Sequence, residues 1–145
     1  MHIWVDADAC PKVIKEILFK ASKRLSISMT LVANKPMYIP ENDLVDFTLV
    51  PAGFDVADNH IVEKVNSGDL VISEDVPLAA AVIEKGADVI TPRGREYTKA
   101  NIGEHLSVRN FMDELRSTGV ETGGPRPLDK KDREKFANAL NKRLG

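Results

Sequence analysis

The sequence has 145 residues, of which 43% are hydrophobic and 29% charged, as expected for one domain with a substantial core. No run of about 18 apolar residues is present, which excludes a membrane span, and the N-terminus lacks the pattern of a signal peptide. The single cysteine, Cys10, excludes an internal disulfide and a cysteine-based zinc site, and is typical of a reducing, cytoplasmic location.

Short apolar runs and helical spacings alternate along residues 1–92. The runs predict five strands, at residues 3–5, 28–33, 47–50, 69–73 and 87–91. The spacings predict helices over residues 11–24, 56–65 and 77–86. This alternation predicts an α/β fold in which a five-stranded parallel sheet is flanked by helices and connected by right-handed crossovers.

The C-terminal residues 93–145 have a different character, and no further strand is predicted there. A helix of about 15 residues is predicted around Ile102–Leu115. A second helix, capped by Asp129, is predicted to carry Phe136 and Leu140 on its apolar face. About 50 residues make a poor independent core. We therefore interpret residues 1–145 as one domain, with an α/β core (1–92) and a basic, helical C-terminal appendage (93–145).

The net charge of −2 conceals an uneven distribution. Residues 1–92 contain 14 acidic and 8 basic residues, whereas residues 93–145 contain 8 acidic and 12 basic residues. The distribution permits an acidic, cation-binding region beside a basic, phosphate-binding one. Chance scatter of surface charge is the alternative.

Acidic residues cluster where two predicted strands end. Asp6 and Asp8 follow the first strand, and Glu74 and Asp75 follow the fourth. Functional residues of doubly wound sheets lie at the carboxyl ends of strands, near the point where the strand order reverses. If the order is 3-2-1-4-5, strands one and four are neighbours at that point. The four carboxylates then converge, and Asp58, at the start of the second helix, is a further candidate.

A carboxylate cluster is costly without a cation. Two like charges about 4 Å apart repel by roughly 1–4 kcal/mol near a protein surface. Hard oxygen ligands favour Mg²⁺ or Mn²⁺ over zinc. We therefore predict Asp6, Asp8, Asp58 and Asp75 as metal ligands, with Glu74 less suitable because two adjacent side chains cannot easily both point inward. The alternative is that these acids cap the helices that follow them.

Five basic residues are candidates for binding substrate phosphates: Lys12, Arg93, Arg95, Lys99 and Arg109. Arg93 and Arg95 directly follow the fifth strand, which places them at the same edge of the sheet as the carboxylates. Guanidinium groups there suit bidentate contacts with phosphate. The alternative is that they are solvated loop side chains.

Cys10 has two interpretations. It could be a nucleophile whose pKa is lowered at a helix N-terminus, or a small buried side chain. The buried interpretation is favoured, because no histidine is near it in the sequence.

Several motifs together resemble the YaiI/YqxD family of bacterial proteins. They are Ile3-x-Val5-Asp6-Ala7-Asp8-Ala9-Cys10-Pro11, the segments 55–61 and 69–79, Arg93-Gly94 through Tyr97, Asn101-Ile102 and Arg109, and Gly124-Pro125 with Arg133 and Phe136. The resemblance covers nearly the whole chain.

The family is regarded as PIN-like, which implies the strand order 3-2-1-4-5 and an acidic site similar to that of metal-dependent ribonucleases. The resemblance implies that Asp6 is the first acid of that site, Asp58 the middle acid and Asp75 the acid after strand four. This chain departs from the common PIN pattern in the turn at residues 73–77 and in having aspartate as the middle acid.

The resulting hypothesis is a metal-dependent nuclease that hydrolyses phosphodiester bonds in RNA, with Asp6, Asp58 and Asp75 as catalytic residues. A haloacid dehalogenase-like phosphatase is one alternative, since it also has Asp-x-Asp after strand one, but Pro11 leaves no room for the flap of that fold. A non-catalytic module is the other. It would bind RNA or a ribonucleoprotein through the basic C-terminal region in a salt-sensitive manner.

Overall fold

A six-stranded sheet lies at the centre of the protein. The computed structural model describes residues 1–53, 55–121 and 126–145. The strands are β1 (Ile3–Asp6), β2 (Met29–Ala33), β3 (Val45–Leu49), β4 (Leu70–Ile72), β5 (Asp88–Ile90) and β6 (Glu96–Tyr97), in the order β3-β2-β1-β4-β5-β6. The first five are parallel to their neighbours, and β6 is antiparallel to β5.

The first five strands lie in the predicted order, but the prediction that no strand follows Arg93 is wrong. A tight turn reverses the chain after β5, because Gly94 adopts a positive φ of 84° and its amide donates to the Thr91 carbonyl at 2.9 Å. Glu96 then pairs with Ile90. A two-residue strand is too short to show an alternating pattern in the sequence.

In the part of the chain that the structure describes, five α-helices flank the sheet: α1 (Lys12–Leu25), α2 (Val56–Lys64), α3 (Val76–Glu84), α4 (Ile102–Ser117) and α5 (Lys130–Leu144). A single 3₁₀ turn, Ala7–Ala9, connects β1 to the start of α1. Within the described ranges, no helix is both long and apolar enough to cross a membrane.

The sheet separates two hydrophobic clusters. On one face Ile3 and Val5 pack with residues of α1 and α5, and on the other Trp4 packs with residues of α2 and α3. Successive side chains of a strand point to opposite faces. Asp6, two residues after Trp4, is therefore directed toward the α2 and α3 side, where the strand ends.

Helix α5 belongs to the core. Phe136 and Leu140 are 0% and 1% exposed and lie in the same cluster as Ile3 and Val5. Asp129 caps the helix as predicted, in a reciprocal capping box with Asp132. The last helix of the predicted appendage is therefore one of the two helices that cover this face of the sheet.

Helix α4 differs from the others because none of its residues is buried. It lies against α3, and Val108 and Phe111 are exposed on its outer side. Gly124 and Pro125, part of the resemblance to the YaiI/YqxD family, lie outside the described residues.

Candidate functional site

Three carboxylates come together at the carboxyl edge of the sheet, from three different elements. Asp6 ends β1, Asp58 lies in the first turn of α2, and Asp75 precedes α3. Burial raises the pKa of Asp58 to about 7, and repulsion by Asp75 and Asp6 adds to the effect. Asp6, Asp58 and Asp75 are therefore close enough for their charges to interact.

Asp6 is linked to the end of β4 through a serine hydroxyl. Ser73 Oγ donates to Asp6 Oδ2 at 3.0 Å and accepts from the Asp75 amide at 2.9 Å. Burial raises the pKa of Asp6, and repulsion by Asp75 and Asp8 acts in the same direction, against the Ser73 hydrogen bond. Sequence reasoning missed Ser73, although a hydroxyl at the end of a predicted strand, directly before the acidic pair, was a usable signal.

Asp75 and Glu74 point in different directions, as expected for adjacent residues. Asp75 Oδ1 accepts the Leu78 amide at 2.9 Å and so caps α3, which means that the capping alternative applies to this residue. A carboxylate has about four acceptor positions, so the cap does not exhaust it. Glu74 instead lies 3.6 Å from the Arg93 guanidinium.

The capping alternative does not apply to Asp6 or Asp8. The residue preceding α1 is Pro11, and no side chain caps that helix. Asp8 Oδ2 accepts the Asn34 amide at 2.8 Å and so joins the 3₁₀ turn to the loop after β2. Asp8 is exposed and lies beside the three coupled acids.

The acids form an incomplete set of metal ligands. In the ranges that the structure describes, no three His, Cys, Asp or Glu side chains are grouped so as to hold a metal ion. Mg²⁺ in phosphoryl-transfer sites is commonly bound through one or two carboxylates, with waters and substrate phosphates completing its octahedron. Hard carboxylate oxygens whose charges contribute to raising the pKa values of Asp6 and Asp58 fit such a cation. The residues are compatible with Mg²⁺ or Mn²⁺ and unlike a zinc cage.

A polar cavity of about 290 Å³ lies next to this edge. Its lining contains four basic and two acidic residues, together with two hydroxyl-bearing ones: Arg93, Arg95, Arg126, Lys135, Glu74, Asp132, Thr91 and Tyr97. The excess of positive charge fits a phosphate group. Arg93 and Arg95 lie here as predicted, whereas Arg126 and Lys135 were missed, because the sequence does not show that α5 returns to β5.

A buried carboxylate binds two of the three arginines of this cavity. Asp132, 2% exposed, accepts from Arg93 Nη1 at 2.8 Å and from Arg126 Nη1 and Nη2 at 2.7 and 2.8 Å. The hydrogen bond from Arg126 is the largest of the effects that lower the pKa of Asp132 to about 2. The first turn of α5 is thereby tied to the turn that follows β5.

The other predicted cations are dispersed. Lys99 lines a cleft with Gly86 and Asp88, at the amino end of β5 and away from the carboxylates. Arg109 pairs with Asp113 at 3.1 Å on α4. Lys12 begins α1, and lines a separate cleft.

Cys10 is a buried side chain, which confirms the interpretation favoured from the sequence. It is 6% exposed, and burial raises the pKa of its thiol to about 12. A thiol with that pKa is protonated at neutral pH and is a poor nucleophile. Its place in the core cluster with Ile14 and Leu18 accounts for it.

Replacing Asp58 by asparagine is expected to stabilise the metal-free protein at about pH 8. A raised pKa means that the wild type loses stability as the pH increases from the unfolded value near 4 through about 7. Because Asp58 is partly exposed, we expect a gain of about 1 kcal/mol, or roughly 2–5 °C. Thermal unfolding in EDTA should show this gain at about pH 8 and its loss at about pH 5. Equal melting temperatures of the wild type and Asp58→Asn at both pH values would contradict the raised pKa of Asp58.

Comparison with known proteins gives a consistent family. The family model described as "Uncharacterized BCR, YaiI/YqxD family" matches residues 4–145, and the chain belongs to this family. No solved structure matches significantly.

Curated relatives align over almost their full length. A UPF0178 protein of Syntrophotalea carbinolica is 60% identical over 144 residues, which cover 99% of this chain and 97% of that protein. A UPF0178 protein of Hydrogenovibrio crunogenus is 59% identical over 144 residues, covering 99% and 95%. A UPF0178 protein of Thioalkalivibrio sulfidiphilus is 54% identical, covering 99% and 98%.

Proposed function

We propose that this protein is a divalent-metal-dependent nuclease of the PIN-like type, acting in the cytoplasm, which hydrolyses phosphodiester bonds in RNA. The observation that carries the proposal is the convergence of Asp6, Asp58 and Asp75 from β1, α2 and the turn before α3. Burial, together with repulsion by neighbouring acids, raises the pKa values of Asp6 and Asp58. Such clusters of perturbed acids are typical of functional sites. The strand order supports it, since the acids lie where the order reverses.

One or two of the carboxylates of Asp6, Asp58 and Asp75 would bind Mg²⁺ or Mn²⁺ directly, and the remaining one, with Asp8, would help to balance its charge. The ion would supply a nucleophilic hydroxide at neutral pH and stabilise charge on the phosphate. Ser73 orients the Asp6 carboxylate by donating to Oδ2 and fixes the turn that carries Asp75. These hydrogen bonds keep the acids at the edge of the sheet with no substrate present.

The cationic cavity would bind the phosphate backbone. Arg93 is shared between Asp132 and Glu74, and Arg95 lines the same cavity. Guanidinium groups held in this way are preorganised donors, which lowers the entropic cost of binding an anion. Phosphate contacts position a nucleic acid without reading its sequence. We therefore expect low sequence specificity from this part of the surface.

The test is cleavage of a fluorescently labelled single-stranded RNA. We expect products with Mg²⁺ or Mn²⁺ and none in EDTA, because the carboxylates repel both one another and the substrate without a cation. An Asp75→Asn preparation made in parallel controls for contaminating ribonuclease. Binding without cleavage in both metals would favour the non-catalytic module. Turnover of a small phosphomonoester would favour the phosphatase.

A further inference from the structure

We propose that the cleft between α1 and the loop following β2 binds an unpaired nucleotide of single-stranded RNA, with its base stacked on Tyr38. The inference rests on the proposed function, and it specifies the substrate class by adding a base subsite to the phosphate-binding cavity. Helix α1 and the side chain of Tyr38 form this site.

The cleft has a volume of about 420 Å³, and its lining is more apolar than that of the cationic cavity. It is lined by Lys12, Lys15, Glu16, Phe19 and Tyr38. The four α1 residues follow the spacing i, i+3, i+4, i+7 and so share one face of the helix. Phe19 supplies an apolar floor and the lysines supply charge near the start of the helix.

Tyr38 is 77% exposed, more than any other large hydrophobic side chain in the described residues. Its neighbours Met37 and Ile39 pack against the core, which turns the ring between them outward. Pro36 and Pro40 flank this segment and restrict its backbone. A ring displayed on an anchored segment offers a stacking surface at low conformational-entropy cost.

The charge of the cleft identifies the ligand class. In the described part of the chain, neither Lys12 nor Lys15 forms an ion pair with a carboxylate. Lys15 Nζ approaches the Met37 sulfur at 3.6 Å, which places the ammonium group beside the Tyr38 segment. One acid, Glu16, leaves a net positive lining. A flat exposed ring beside cations is the arrangement by which proteins bind unpaired nucleotides.

The position of the cleft is suitable for a strand that passes the carboxylates. Asp8 accepts the Asn34 amide and so fixes the start of the loop that carries Tyr38. A smaller cleft of about 200 Å³ is lined in part by Pro11, the residue before Lys12. It shares Glu74 and Arg93 with the cationic cavity. A single strand that follows this surface would reach both the cleft at Tyr38 and the cationic cavity.

The test measures binding in EDTA, so that it depends neither on metal nor on cleavage. The probe is a 5′-fluorescein-labelled oligouridylate of about ten nucleotides, followed by fluorescence anisotropy at about 0.1 M salt. We expect Tyr38→Ala to raise Kd by roughly five- to a hundredfold, the effect of losing one base–aromatic stack. Tyr38→Phe should stay within about twofold, since it keeps the ring. Phe111→Ala, which removes an exposed ring on α4, should leave Kd unchanged.

A second probe separates stacking from charge. An oligomer of equal length that lacks bases should bind the wild type as weakly as RNA binds Tyr38→Ala, and should not distinguish the two proteins. Equal affinity of wild type and Tyr38→Ala for the oligouridylate would overturn the subsite. Equal loss of affinity for both probes in Tyr38→Ala would also overturn the subsite, because an altered fold or a lost ionic contact would weaken the binding of both probes alike. If Asp6→Asn retains its affinity for the oligouridylate, then RNA cleavage and binding of the base at Tyr38 can be lost independently of each other.

Discussion

Asp6→Asn is expected to lower RNA cleavage by more than about a hundredfold, while the melting temperature stays the same or rises. The loss should exceed the roughly 10- to 100-fold effect of altering groups that only support a ligand. The fold should persist, because the asparagine oxygen can still accept the hydrogen bond from Ser73. Removing one charge also relieves repulsion with Asp75, which raises the pKa of Asp6 in the wild type.

Asp8→Asn is the matched control, since it removes a carboxylate two residues away. The Asp8 side chain accepts from the Asn34 amide, which an asparagine oxygen can also do. We expect a reduction of no more than about 10- to 100-fold, as for a supporting group. Single-turnover cleavage with excess protein, together with thermal unfolding, measures both effects. Full activity of Asp6→Asn, or equal losses in the two variants, would contradict the assignment of Asp6 to the reacting centre.

Phe136→Ala is expected to lower the free energy of unfolding by about 3–5 kcal/mol, a large part of the stability of a domain. Phe136 is fully buried and shares a cluster with β1 and α1, so that truncation leaves a cavity in the core. Gly94 also approaches the α5 backbone closely, since an added Cβ would lie 2.5 Å from the Lys135 carbonyl carbon. The packed surroundings limit how far the cavity can collapse.

Phe111→Ala is the control for this prediction, because it removes the same atoms from a side chain that is 59% exposed. We expect it to change stability by less than about 0.5 kcal/mol. Urea denaturation followed by far-UV circular dichroism measures both variants. A loss of less than about 1 kcal/mol for Phe136→Ala would mean that α5 docks only loosely on the sheet.

The main elements of the fold were predictable because each carries a periodic signal. Buried β1 and β4 appear as short apolar runs, and α1 has a clear apolar face. Strand β6 was not predictable, because two residues show no alternation and its pairing depends on the turn at Gly94. Nor was the docking of α5. Its capping residue Asp129 was recognised, but the contact of Phe136 with β1 joins opposite ends of the chain.

The candidate acids were predictable because the ends of adjacent parallel strands meet at one edge of a sheet. Their hydrogen bonds were less so. The cap formed by Asp75 and the bridge formed by Ser73 depend on side-chain directions within a tight turn. Among the basic residues, proximity to a strand end was informative for Arg93 and uninformative for Lys99, which β6 carries to the other edge.

The pairing of the first strand with the last helix has a consequence for synthesis of the protein. Ile3 and Val5 are made before Phe136 and Leu140, the residues of α5 that cover them. Contacts of such large sequence separation form late, because loop closure must precede them. The nascent chain therefore exposes an apolar face of its central strand until α5 has been made. Exposed apolar surface of this kind favours aggregation, and the cavity anchored by Asp132 does not form before α5 is made.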